Sequence, residues 1–201
     1  MAHESILTRA DDEDYLIRLY FGSSSDDLQC CLDRAYRDFS RTMHGIRSRE
    51  TGPEIYQQAR VYLRQALKVL LSTAHVTQDV FDTWHRQTCT ALVALYHLYH
   101  HHMYLGHAQK WINMTFTYAF TFGESRLPGF RKRYPFCHVP LDNIFIDRLA
   151  SYHPPSRSVR WSRITNYDEY VHVQRWVREH FASIPLDTEF RIWLGTMPLL
   201  P

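Results

Sequence analysis

The chain has 201 residues, of which 45% are hydrophobic and 14% aromatic, a composition that excludes a disordered chain and predicts one globular domain. Only seven glycines are present, which argues against a sandwich or barrel rich in tight turns. The formal net charge of +2 names no partner, but residues 126–180 hold ten basic and five acidic side chains, whereas residues 1–50 hold seven and ten. A basic C-terminal half suits a polyanion, although a solvated surface produces the same surplus.

Apolar side chains recur every three or four residues along most of the chain, which predicts an all-α fold. The first predicted helices cover 26–45, Pro53 to about 72, and Thr77 to Gly106, where the glycine is expected to end the helix. A further helix is predicted over 108–122 and a loop over 123–139. Asp142 is predicted to cap a helix over 143–150, and helices over 167–181 and 188–194 follow a loop at 151–163.

The sequence also limits where the protein is found. The N-terminal residues are polar and acidic, without the apolar run of a signal peptide, and no apolar stretch is long enough for a membrane span. The four cysteines, Cys30, Cys31, Cys89 and Cys137, lack a C-x-x-C spacing and are expected to be reduced thiols. We therefore expect a cytoplasmic protein.

Two residues suggest chemistry, and both are predicted near the start of a helix. Lys110 falls in the first turn of the helix after Gly106, and Asp142 ends the string His138-Val139-Pro140-Leu141-Asp142. The positive end of a helix dipole disfavours an ammonium and stabilises a carboxylate, which predicts a nucleophilic amine and an ionised acid. Such a pair can cleave a glycosidic bond, because the carboxylate stabilises the cationic sugar and the amine attacks its anomeric carbon. Taken singly, a lysine in a first helical turn is usually a solvated charge, and an aspartate before a helix is more often an N-cap than a catalyst.

The run Leu105-Gly106-His107-Ala108-Gln109-Lys110, an aromatic helix and then the string ending in Asp142 together resemble the helix-hairpin-helix DNA glycosylase superfamily. The similarity is greatest to the archaeal 8-oxoguanine DNA glycosylase branch, in which a Gln-Lys opens the second hairpin helix and the catalytic aspartate follows at a similar spacing in a Pro-x-Asp context. The resemblance covers roughly 96–149. Of the commoner hairpin sequence Leu-Pro-Gly-x-Gly, only Gly106 is present.

The resemblance implies a single helical domain over 1–201, with the hairpin at about 96–122 and the catalytic aspartate helix at about 142–150. It implies a monomeric, nucleoid-associated enzyme that flips out and excises a base from double-stranded DNA, for repair or for defence against phage. The base would resemble 8-oxoguanine or be a modified cytosine as in phage DNA, and a Schiff base on Lys110 would add abasic-site lyase activity. No cofactor and no metal are implied.

The same resemblance assigns roles to further residues. Backbone N–H groups at Gly106, His107 and Ala108 would bind a DNA phosphate. Other expected DNA contacts are Gln109, Arg126, Arg131, Lys132, Arg133, Arg157, Arg160 and Arg163. The aromatic side chains available to a base pocket are foremost Trp111 and Trp161, and also Trp84, Phe116 and Tyr118.

Two hypotheses from other classes stay open. Arg133 and His138 match the Arg-x4-His motif of HEPN ribonucleases, which are also small and all-helical, but here the motif spans Pro135 in a predicted loop. A nucleic-acid-binding module without catalysis would need only the basic half and the hairpin. The histidines at 97–107 include a pair one helical turn apart, yet no nearby acidic or cysteine residue completes a zinc site.

Overall fold

The computed structural model describes residues 7–22, 26–43, 51–155 and 160–197. These residues form helices and no strand, which confirms the all-α prediction. The α-helices are α1 (Arg9–Phe21), α2 (Asp27–Ser40), α3 (Gly52–Ser72), α4 (Gln78–Leu98), α5 (Leu105–Phe122), α6 (Asn143–Leu149), α7 (Tyr167–His180) and α8 (Pro185–Trp193). Short 3-10 helices cover Arg131–Phe136, Ala150–Tyr152 and Trp161–Arg163. No helix in these ranges is long and apolar enough to cross a membrane.

Helix α5 is the centre of the domain. Of its 18 residues 15 are buried, so it is covered on all sides rather than along one stripe. It packs against α2, α4 and the 3-10 helix Trp161–Arg163. A polar side chain on α5 is therefore held inside the protein and needs a partner there.

Side-chain caps explain where several helices begin. Thr77 accepts a hydrogen bond from the Val80 N–H at 3.3 Å, and Asp142 accepts one from the Phe145 N–H at 2.9 Å. Both caps confirm the sequence predictions. Helix α1 was not predicted, because its apolar residues form no stripe; Phe21 alone is buried along it.

The connection between α4 and α5 corrects the prediction at Gly106. Helix α4 ends at Leu98, and α5 begins at Leu105 with Tyr104 as its N-cap, so Gly106 is the second residue of a helix and ends none. Its role is close packing: a Cβ at this position would lie 1.8 Å from the carbonyl oxygen of Trp161. Lys110 consequently lies in the second turn of α5, one turn later than predicted.

Candidate active site

Lys110 and Asp142, which are 32 residues apart in the chain, form an ion pair. The Lys110 Nζ donates a hydrogen bond to Asp142 Oδ2 at 2.8 Å, while Asp142 Oδ1 caps α6. The two side chains are 9% and 15% exposed, respectively, so water screens their charges only weakly. The structure thus brings together the two residues that the sequence proposed as a catalytic pair.

Trp161 lies beside the amine. The Lys110 Nζ is 4.9 Å from the centroid of the Trp161 ring, within the range of a cation–π contact. The 3-10 helix that carries Trp161 is held against α5 at Gly106, whose N–H donates to the Ile164 carbonyl oxygen at 3.1 Å. The predicted pocket residue Trp161 is therefore next to the ion pair.

A cavity of about 540 Å³ has Trp161 in its wall. None of the described residues that line it is acidic, and five are arginine or histidine. These five are Arg41, His102, His107, Arg160 and Arg163. Asn143, the residue after Asp142, and Trp161, whose ring contacts the Lys110 amine, both line the cavity, so the cavity adjoins the pair without including it. A cavity with cationic walls concentrates anions such as phosphate groups.

Glu189 is a site residue that sequence reasoning missed. It is 2% exposed on α8, and the Thr117 hydroxyl donates to its Oε2 at 2.9 Å. Burial raises the pKa of Glu189 to about 8, the Thr117 hydrogen bond opposes this rise, and the charge of Asp142 adds to it. Beside the ion pair, Glu189 therefore keeps its proton to a higher pH than an exposed glutamate does. No motif marks Glu189, because only the packing of α8 onto the domain brings it near Asp142.

Side-chain amides hold the segment 138–142, which leads to Asp142. Gln174 bonds both backbone groups of Val139, accepting from the N–H at 2.9 Å and donating to the carbonyl at 3.0 Å. Gln109 does the same at Leu141, at 3.2 and 2.9 Å. Asn113 donates to the Val139 carbonyl at 3.1 Å and to Gln109 Oε1 at 3.0 Å. Side chains of α5 and α7 thus satisfy the backbone hydrogen-bonding groups of Val139 and Leu141.

The polar network continues away from the pair to Asp82. The Asn113 Nδ2 also lies 2.8 Å from the Tyr170 hydroxyl oxygen, and that hydroxyl lies 3.0 Å from His138 Nδ1. His138 Nε2 lies 2.9 Å from Asp82 Oδ1. Burial lowers the pKa of His138, so the neutral ring accepts from the tyrosine and donates to the carboxylate.

These contacts contradict the ribonuclease hypothesis. His138 is 1% exposed with both ring nitrogens engaged. The Arg133 guanidinium is buried and donates to the carbonyl oxygens of Leu71 and Thr73 at the end of α3. Neither side chain can reach an RNA phosphate in this fold.

The predicted phosphate grip of the hairpin backbone is also wrong. The Gly106 N–H is bonded to Ile164, and the N–H groups of His107 and Ala108 donate to the Tyr104 carbonyl oxygen at 3.0 and 3.3 Å. Gln109 is completely buried and cannot touch DNA. Only the His107 side chain remains at the cavity wall.

The expected cationic contacts divide into two groups. Arg160 and Arg163 line the cavity, and Arg163 also donates to the Tyr104 hydroxyl at 2.7 Å. Arg126 is engaged with Asp14 at 2.6 Å and Asp27 at 2.8 Å. Arg131 and Lys132 are exposed beyond the opposite end of α5, and Arg157 lies outside the described residues.

Trp111 is a core residue and not a pocket wall. Its side chain has no exposed surface, and its indole N–H donates to the Leu32 carbonyl oxygen at 3.0 Å. It stacks on Tyr56 with ring centroids 6.0 Å apart. Its place in the sequence, directly after Lys110, turns it about 100° around the axis of α5, and this places it on a different face of the helix from the pair.

Comparison with known proteins gives no relative to reason from: no protein-family model, no curated protein and no solved structure matches the chain. Within the part of the chain that the structure describes, no three potential metal ligands come together. The functional argument therefore rests on the geometry around Lys110 and Asp142.

Proposed function

We propose that the protein is a DNA glycosylase that excises a damaged or modified base from double-stranded DNA. The observation that carries the proposal is the weakly screened Lys110–Asp142 ion pair beside an indole and a cation-lined cavity. An amine and a carboxylate in contact suit attack at an anomeric carbon that becomes positively charged as the base leaves.

In this mechanism Asp142 stabilises the cationic sugar while the departing base takes the electron pair of the glycosidic bond. The Lys110 ammonium gives one proton to the departing base, and the resulting amine attacks C1′. Opening of the sugar ring, with transfer of a proton from the amine nitrogen to the ring oxygen, then gives a Schiff base. From it, β-elimination removes a C2′ proton and expels the 3′ phosphate, which breaks the strand on the 3′ side. The enzyme is accordingly a glycosylase with abasic-site lyase activity, and its substrate base resembles 8-oxoguanine or is a modified cytosine.

DNA contact is assigned to side chains and not to backbone groups. In this proposal the α4–α5 connection stands where the helix-hairpin-helix superfamily has its hairpin, but its N–H groups are bonded internally. Arg41, Arg160 and Arg163 would instead bind phosphates at the cavity. Trp161, which borders both the cavity and the amine, would stack on the extruded base.

Borohydride trapping tests the proposal. Duplexes carrying an abasic site, 8-oxoguanine or a modified cytosine are incubated with wild type, Lys110→Ala, Asp142→Asn and the matched control Lys68→Ala, which removes an exposed lysine of α3. We expect a covalent adduct in wild type and Lys68→Ala and none in Lys110→Ala.

For Asp142→Asn we expect base release to fall by about 10²-fold or more, since loss of a single electrostatic group in an active site has that effect. Base release from wild type without an adduct would mean a glycosylase that uses water in place of Lys110. The proposal would be overturned if wild type gave no covalent adduct and released no base from any of the duplexes.

A further inference from the structure

Gln109 and Lys110 are neighbours on α5, and their partners Leu141 and Asp142 are neighbours on the facing segment. The amide of Gln109 bonds the backbone of Leu141 on both sides, and the amine of Lys110 bonds the carboxylate of Asp142. Two consecutive residues of α5 are thus hydrogen-bonded to two consecutive residues of the segment 138–142. A shift of Leu141 relative to α5 would carry Asp142 away from Lys110.

The orientation of the Gln109 amide is fixed. Its Oε1 accepts from the Leu141 N–H and from Asn113, and its Nε2 donates to the carbonyl oxygens of Leu141 and Gly106 at 2.9 Å each. All four hydrogen-bonding positions are used, and a rotated amide would set donors against donors. Since the side chain has no exposed surface, water cannot replace any of these bonds.

We propose that Gln109 is the positioning residue of the site: it sets the Lys110–Asp142 contact by fixing the backbone of Leu141. This inference rests on the proposed function only in calling the pair catalytic; the positioning itself is a property of the folded protein. It also gives Gln109 a role in place of the DNA contact that the sequence suggested.

The molecule offers a matched control for a merely structural role. Gln174 is 2% exposed and makes the same two-bond contact with Val139. It lies on α7 and not on the helix of Lys110, and its target is three residues from Asp142. If such contacts only stabilise the fold, replacing either glutamine should have the same consequences.

The test compares Gln109→Met with Gln174→Met, since methionine keeps the length of glutamine and removes its hydrogen bonds. Each variant is treated with an amine-acylating reagent at fixed pH, and the labelling rate of each lysine is measured by mass spectrometry. The chain has only three lysines, and Lys68 and Lys132 are exposed internal references. The thermal midpoint of each variant is recorded in the same buffer.

We expect labelling of Lys110 to increase about tenfold in Gln109→Met, because loss of a charge-assisted hydrogen bond frees the amine. In Gln174→Met we expect the labelling rate of Lys110 to change less than twofold, even if its thermal midpoint falls by as much as that of Gln109→Met. Equal increases in both variants, or no increase in Gln109→Met, would overturn the inference. If Gln109→Met does not fold, Gln109→Asn, which is too short to reach Leu141, takes its place with the same expectation.

Base release on the trapping substrates separates this inference from the proposed function. If both hold, Gln109→Met lowers the single-turnover rate without weakening DNA binding, and Gln174→Met lowers neither. If wild type proves inactive on every duplex, the proposed function fails, while the labelling rates still decide whether Gln109 sets the contact of Lys110.

Discussion

Basic side chains from other parts of the chain lie near both ends of α5, and their contacts differ between the two ends. Near its N-terminal end, Arg160 and Arg163 line a cavity beside Lys110. Beyond its C-terminal end, Arg126 is tied to two aspartates and Arg133 to two backbone carbonyls. Along the helix axis Lys110 and Phe122 are about 18 Å apart at 1.5 Å per residue. Arg131 and Lys132 at the C-terminal end are exposed, so the basic surplus of residues 126–180 combines side chains at the cavity, side chains bonded internally and side chains on open surface, and by itself locates no polyanion site.

Two glutamates, one near the pair and one beyond the C-terminal end of α5, should respond to pH with opposite signs. Burial raises the pKa of Glu189 from 4.5 to about 8, so the folded protein loses stability relative to the unfolded chain as pH rises through that range. Glu189→Gln should therefore raise the free energy of unfolding by several kcal/mol above pH 8 and leave it nearly unchanged below pH 4.5. Urea denaturation at a series of pH values measures this difference.

Glu124 provides the comparison in the same experiment. Hydrogen bonds from the N–H groups of Gly129 and Arg131 lower the pKa of Glu124, so its contribution is present above pH 4.5 and is lost as pH falls below it. Glu124→Gln should destabilise the protein at neutral pH, with the difference from wild type disappearing in acid. A stability change of the same sign for both variants at pH 8 would contradict the assignment of the two carboxyl environments.

Replacement of either glycine at the ends of α5 by alanine should lower the free energy of unfolding, for a different reason at each position. Gly106→Ala places a Cβ against the Trp161 carbonyl, and we expect a loss of about 3 kcal/mol as the 3-10 helix moves away from α5. Gly123→Ala meets no neighbouring atom but forces alanine to a φ of +84°, which costs about 2 kcal/mol locally. Lys110 labelling should rise in Gly106→Ala alone; an increase in both variants would mean that Trp161 does not shield the amine.

Arg133 and Arg160 should separate stability from DNA binding. Arg133→Ala leaves two carbonyl oxygens without their donor and should lower the free energy of unfolding by about 2 kcal/mol. Arg160 is exposed at the cavity, so Arg160→Ala should leave stability unchanged and reduce the slope of log affinity against log salt by about 1. Fluorescence titrations on duplex DNA at several salt concentrations measure this slope. An unchanged slope in Arg160→Ala, or a reduced slope in Arg133→Ala, would contradict the assignment of DNA binding to Arg160 and of a stabilising role to Arg133.

Much of the site's local chemistry could be predicted, but its surroundings could not. Lys110 and Asp142 were paired through a family resemblance, with their predicted helix positions in support, and Asp142 does cap α6. Trp111 and Trp161 looked equally suitable for a pocket, yet one is in the core and the other beside the amine. The difference depends on which face of α5 meets α2, and a helix buried on all sides has no stripe from which to predict that.

The sequence by itself determined the all-α class and the caps at Thr77 and Asp142, because periodicity and capping act over three or four residues. The pairing of Lys110 with Asp142 came from a family resemblance and not from a local pattern. Tertiary structure decided why Gly106 is a glycine, which arginines face open space, and that Glu189 and Gln109 belong to the site. Those outcomes depend on contacts between residues far apart in the chain, as when Gln109 meets Leu141 across 32 positions. Local preferences carry no information about such contacts, since only the packing of the whole core places their partners.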